Sequence, residues 1–146
     1  MMSPAGRRHE TIRLELAHRM AGLAPEGVMV AQEPQFNLSS DTFAKPDILV
    51  HPHAIKTYDL QGADALLVVE VAETSLSCDL KTKSSRYALH GIREYWVINA
   101  ITFMTTVHRQ PGGTAYAVRD EVPSHDIPVP LFAPEPAISL AKLNLD

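Results

Sequence analysis

Apolar positions recur along the chain with two different periods. From His9 to Ala21, "HETIRLELAHRMA" sets Ile12, Leu16 and Met20 at helical spacing with Arg13, Glu15 and Arg19 among the intervening positions, which predicts an amphipathic helix. Gly22, Pro25 and Gly27 end it. "VMVAQEPQFNL" then alternates over one or two strands before the polar break "SSDTFAKP". Beyond Pro46, "DILV" reads as a short strand and "HPHAIKTYDLQGAD" as a loop, since Pro52 and Gly62 argue against regular structure. Leu66 to Val71 is a buried strand by its unbroken aliphatics. "CDLKTKSSRYALHGI" is a helix with Ser77 or Asp79 as its capping residue and Gly91 at its end. "EYWVINA" is a further strand, and "TFMTTVHRQPGGTAYAV" a hairpin about a Pro-Gly-Gly turn. After Asp120 five prolines thin the regular structure, and "ISLAKLNL" is expected to add a short closing helix.

This order of elements predicts a mixed α/β fold, with helices covering a mostly antiparallel sheet. The 146 residues fit one domain, 1–146, large enough to bury a core without staples. At 45% hydrophobic and 21% charged, the composition is that of an ordinary globular protein. Cys78 is the only cysteine, which excludes an intramolecular disulfide and a cysteine-based zinc cluster. No apolar stretch approaches the roughly 20 residues of a membrane-spanning helix. "MMSPAGRRHE" lacks the apolar core of a signal peptide, so the cytoplasm is the expected location. Thirteen basic against seventeen acidic residues give a net charge of -4, which counts against a protein whose main task is gripping nucleic acid. Arg7 with Arg8, and Lys81, Lys83, Arg86 and Arg93, nonetheless form clusters that can make a local positive rim.

One position breaks the apolar pattern. Side chains alternate along a strand, so Leu66, Val68 and Glu70 share a face. A carboxylate there is costly unless paired, hydrogen-bonded or metal-bound; the plain alternative is that Glu70 emerges into solvent near the strand's end. Asp47, at the mouth of "DILV" after Pro46, is a second strand-end acid. If the two meet across a sheet, their repulsion is relieved by a hard divalent ion such as magnesium, which accepts one or two carboxylates and keeps positions open for water and phosphate oxygens. Lys81 and Lys83 lie two apart on the predicted helix, about 200° from each other, so only one serves such a site. Lys83 flanks the inward face, one turn from Tyr87 and from Leu80, and can carry its ammonium toward the acids; the plain alternative is a solvated helix surface. Two carboxylates and an ammonium suit metal-assisted phosphodiester cleavage.

These residues resemble the PD-(D/E)XK nuclease superfamily, and more closely the Uma-two family of restriction endonucleases. The resemblance runs from "KPDILV" through "LLVVEVAETSLSCDLKTKSSRYALHGIREYWVINA". It is weaker in "RRHETIRLELAHRM" and in the hairpin. Its pattern falls on Pro46-Asp47, Glu70-Val71, Ser75-Leu76, Asp79, Lys83, Tyr87-Ala88, Gly91-Ile92 and Glu94-Tyr95-Trp96. The resemblance implies a restriction-endonuclease-like core, DNA as substrate and dependence on Mg2+, with Mn2+ as a substitute. It implies Asp47 and Glu70 as metal ligands, joined by the main-chain carbonyl of Val71, and Lys83 as the catalytic lysine. Ala72 stands where the superfamily usually has its lysine, so Lys83 must fill that role from the following helix. Asn99 stands where many relatives have Asp.

The remaining candidates carry less. His51 and His53 are spaced for zinc but lack a second ligand pair, and read as loop histidines. Cys78 lacks an evident partner, Tyr95 and Trp96 read as core, and Glu73 and Asp79 are auxiliary acids or, for Asp79, a cap. The expectation is a magnesium-dependent DNA endonuclease acting as a homodimer, because one site per chain cuts two strands most simply in a symmetric pair. The alternatives are a catalytically silent module of the same fold that binds nucleic acid or a protein, and a phosphohydrolase of small nucleotides.

Overall fold

The computed structural model describes residues 4–73, 75–126 and 128–132, with side chains from Arg7 onward. The expected closing helix in "ISLAKLNL" lies outside the described residues. Helix α1 (Pro4–Leu23) is followed by strand β1 (Val28–Gln32), the two-residue strands β2 (Phe36–Asn37) and β3 (Phe43–Ala44), and β4 (Ile48–Pro52). Two 3-10 turns, Thr57–Asp59 and Gly62–Asp64, lead to β5 (Leu67–Ala72). A helical run of three parts comes next: α2 (Leu76–Cys78), a π-helical segment (Asp79–Lys83) and α3 (Ser84–Leu89). Strands β6 (Glu94–Asn99), β7 (Thr105–Gly112) and β8 (Ala115–Val122) complete the main sheet, ordered β1-β4-β5-β6-β7-β8. Only β5 and β6 run parallel, as the intervening helical crossover requires; the other pairings are antiparallel.

The sheet divides the interior into two cores. Ile12, Leu16 and Met20 of α1 pack on one face against Ile48, Val50, Leu67, Val69 and Val71. Tyr87 and the tail of the helical run pack on the other, against Leu49, Val68, Tyr95 and Val97. Each large apolar side chain buried this way contributes about 1.5–3 kcal/mol. The strict alternation of β5 between the two cores is what puts Glu70 on the face of the helical run.

Four local expectations are corrected. Neither Ser77 nor Asp79 caps the helical run, which begins at Leu76 after Ser75; Asp79 is buried inside it. His51 is not a loop residue: it belongs to β4, is fully buried, and bonds to the Pro52 carbonyl and the Thr57 hydroxyl. Pro111 and Gly112 belong to β7, so the hairpin turns at Gly113 and Thr114, where Gly113 takes φ 66. Arg13 is not on the solvent face of α1 but 8% exposed. It bonds to Gln32 and pairs with Glu10 and Glu33, tying α1 to the loop after β1.

Candidate active site

Register alone brings the two acids together. Strand β4 pairs Ile48 with Val69, so one step further Asp47 faces Glu70. Reciprocal bonds lock them: the Asp47 N–H donates to Glu70 Oε1 at 3.2 Å, and the Val71 N–H donates to Asp47 Oδ2 at 2.7 Å. Glu70 is 4% exposed, so it does not emerge into solvent. Its Oε2 accepts from the Tyr87 hydroxyl at 3.0 Å and from Lys83 Nζ at 3.3 Å. Lys83 Nζ also lies 3.1 Å from Asp79 Oδ1, and the Ser75 hydroxyl donates to Asp79 Oδ2. Asp47, Glu70 and Lys83 thus converge, while Lys81 is exposed on another side of the run.

Three further side chains complete the cluster, two of them, His9 and Tyr87, with roles that the sequence does not reveal. His9 Nε2 lies 3.1 Å from Asp47 Oδ2, carried there by the first turns of α1. Tyr87 does more than pack on the inward face, since its hydroxyl holds Glu70. Asp79, weighed as a cap or an auxiliary acid, is the second partner of Lys83. Spacing alone offered a signal for Tyr87 and Asp79, each four residues from Lys83. Nothing local signalled His9, which is 38 residues from its partner. Glu73 is half buried with Oε2 enclosed and unpartnered among the described residues; Cys78 is a free, exposed thiol.

Charge in this cluster is unevenly distributed. Burial pushes Glu70 up to about 7, against the pull of the Lys83 ammonium and with Asp47 and Asp79 adding to the rise. Burial also works to raise Asp47, but the bonds from His9 and the Val71 N–H outweigh it and hold Asp47 below the ordinary range. The Asp47 bond raises His9, with burial opposing. Burial alone would lower Lys83; Glu70 and Asp79 reverse this and keep it an ammonium at neutral pH. A hard cation suits this donor set, because it removes the repulsion between a buried carboxylate and its ionised neighbour. Among the described residues no three His, Cys, Asp or Glu side chains form a metal-holding group, so main-chain oxygen and water must complete any shell.

The architecture is shared with a crystal structure from Anabaena variabilis described as "a putative nuclease belonging to DUF820": TM-score 0.71 at 21% identity, over 93% of this chain and 79% of that one. No curated protein matches this chain. Residues 1–141 match the Uma2 family, "Putative restriction endonuclease". The chain belongs to that family.

Proposed function

We propose that this protein is a divalent-cation-dependent endodeoxyribonuclease. The observation that carries the reading is the approach of Lys83 Nζ to Glu70 Oε2 at 3.3 Å, beside an Asp47 bonded to the same strand. Asp47 and Glu70, with the main-chain carbonyl of Val71, would hold Mg2+ or Mn2+. Such an ion, when bound, polarises the phosphoryl group and acidifies a water. Lys83, still an ammonium at neutral pH, orients that water and offsets charge growing on the phosphoryl oxygens. Tyr87 and Asp79 fix the two ends of the Lys83–Glu70 pair, and His9 fixes Asp47. DNA is the substrate and a homodimer the working form, one site for each strand.

A second reading, a catalytically silent nuclease-fold module that binds nucleic acid or a protein, is favoured by Ala72 in the usual place of the lysine. Supercoiled plasmid with magnesium or manganese separates the two. The wild type is expected to nick it, while Asp47→Ala and Lys83→Ala each lose at least about a hundredfold in rate. No nicking by the wild type leaves the silent module; nicking that survives both substitutions places the chemistry elsewhere.

A further inference from the structure

A second concave site lies on the other side of the helical run from Glu70. A pocket of about 300 Å³ opens between this run and the β7–β8 hairpin, lined by Lys81, Ser84, Ser85, His108, Thr114 and Arg119 among others. None of its lining residues is acidic, in a chain with seventeen acids. Lys81 and Arg119 reach it from two different elements, and neither has a salt-bridge partner among the described residues. Convergent cations normally pair with carboxylates or stay apart, so two of them facing one hollow with the hydroxyls of Ser84, Ser85 and Thr114 beside them suit an anion with several oxygens.

The floor adds polarity without charge. His108 is 2% exposed and sits directly across the ladder from Arg119. Its Nδ1–H donates to the Tyr95 carbonyl, which leaves a bare lone pair on Nε2, buried and unpartnered. Burial, with Arg119 nearby, keeps the ring neutral. Attraction for an anion therefore rests on Lys81 and Arg119.

We propose that this pocket binds a backbone phosphate of nucleic acid, so that Lys81 and Lys83, two residues apart on one helical run, serve two different phosphates of a bound strand. Nucleic acid as the source of that phosphate rests on the nuclease reading; the hollow and its unpaired cations do not. The arrangement also answers how a chain of net charge -4 can hold a polyanion: the grip is local.

Binding of a fluorescently labelled duplex in EDTA tests this apart from cleavage. In Lys81→Gln/Arg119→Gln, affinity at ~0.1 M salt is expected to fall about tenfold, and the slope of log K against log salt to become shallower by about one, for the one phosphate that the two cations share. Both side chains are exposed, so the fold should survive; Ser85→Glu keeps both cations, adds a carboxylate to the pocket, and is expected to weaken binding as well. Unchanged affinity and slope in both variants overturns the inference. Inorganic phosphate binding that is lost in the double variant, with duplex binding unchanged, assigns the pocket to free phosphate and also overturns it. A wild type that never nicks plasmid, yet binds duplex through these two cations, refutes the nuclease reading and upholds the subsite.

Discussion

Glu70 and Glu94 are both buried carboxylates on the neighbouring parallel strands β5 and β6, and their partners set them apart. Glu94 is neutralised by the Arg109 guanidinium through two bonds, and further accepts from Trp96 Nε1 and the Leu131 N–H. Glu70 has a neutral phenol, a main-chain N–H and an ammonium that it shares with Asp79, with ionised Asp47 beside it. Glu94 is a structural tie, whereas Glu70 is held above its ordinary range, at about 7. Its folded-state pKa lies above the unfolded one, so its stabilising contribution is complete below about 4.5 and is lost as pH rises through about 7. A shift of that size corresponds to something on the order of 3 kcal/mol. In metal-free buffer, Glu70→Gln is therefore expected to gain on the wild type by up to about that amount between pH ~4.5 and ~8, measured by urea unfolding. Asp47 is shifted the opposite way, but it is present in both proteins and largely cancels from the difference. A difference that stays flat with pH would mean that Glu70 is solvated or permanently charge-paired.

At the scale of elements, the helical run between β5 and β6 positions the site, and its seating depends on a glycine in the turn before β5. A Cβ at Gly62 would stand 2.0 Å from the carbonyl oxygen of His90, at the end of α3. Backbone cannot swing aside as a flexible side chain can. Gly62→Ala is therefore expected to cost about 1–3 kcal/mol, seen as a lowered Tm, and to weaken nicking as the run carrying Lys83 and Tyr87 shifts. An unchanged Tm would show that the turn moves freely against the helix. The same run marks the boundary of what periodicity can reveal. Leu66 to Val71, "DILV", α1 and the hairpin were legible because burial on one or two faces imposes a period on the side chains. Glu70 stood out as a charge inside such a pattern, and Lys83 as the better placed of two lysines. The π-helical segment was not legible, since its wider turn leaves no distinct apolar repeat over five residues. His51 was misjudged because Pro52 suggested a loop, while the strand continues through both residues. His9 was not legible as a neighbour of Asp47 because that contact follows from docking of α1 on the sheet, not from any repeat, whereas Asp79 lies one helical turn from Lys83 and was legible as an auxiliary acid.

At the scale of the whole molecule, the acids meet only once the chain has folded. Asp47 and Glu70 are 23 residues apart, and they are aligned by the β4–β5 register rather than by any local turn. Lys83 arrives from the helical run on one side of the sheet, and His9 from the helix that covers the other. A cation held by Asp47 and Glu70 has no counterpart site in the unfolded chain, so its binding must appear as added stability. At a hundredfold excess over Kd the gain is about 2.7 kcal/mol, which raises Tm by several degrees for a domain of this size. The gain should also be larger at pH ~8 than at pH ~5, because below about 7 the ion must displace the proton that Glu70 retains. Thermal melts of the wild type with and without Mg2+ at these two pH values are expected to show both effects, and Asp47→Asn to abolish them. The acidic surface of a chain of net charge -4 attracts divalent ions diffusely, which Asp47→Asn leaves almost intact. Equal Mg2+ shifts in the wild type and Asp47→Asn would thus assign the stabilisation to that diffuse attraction and leave the paired acids without an ion to hold.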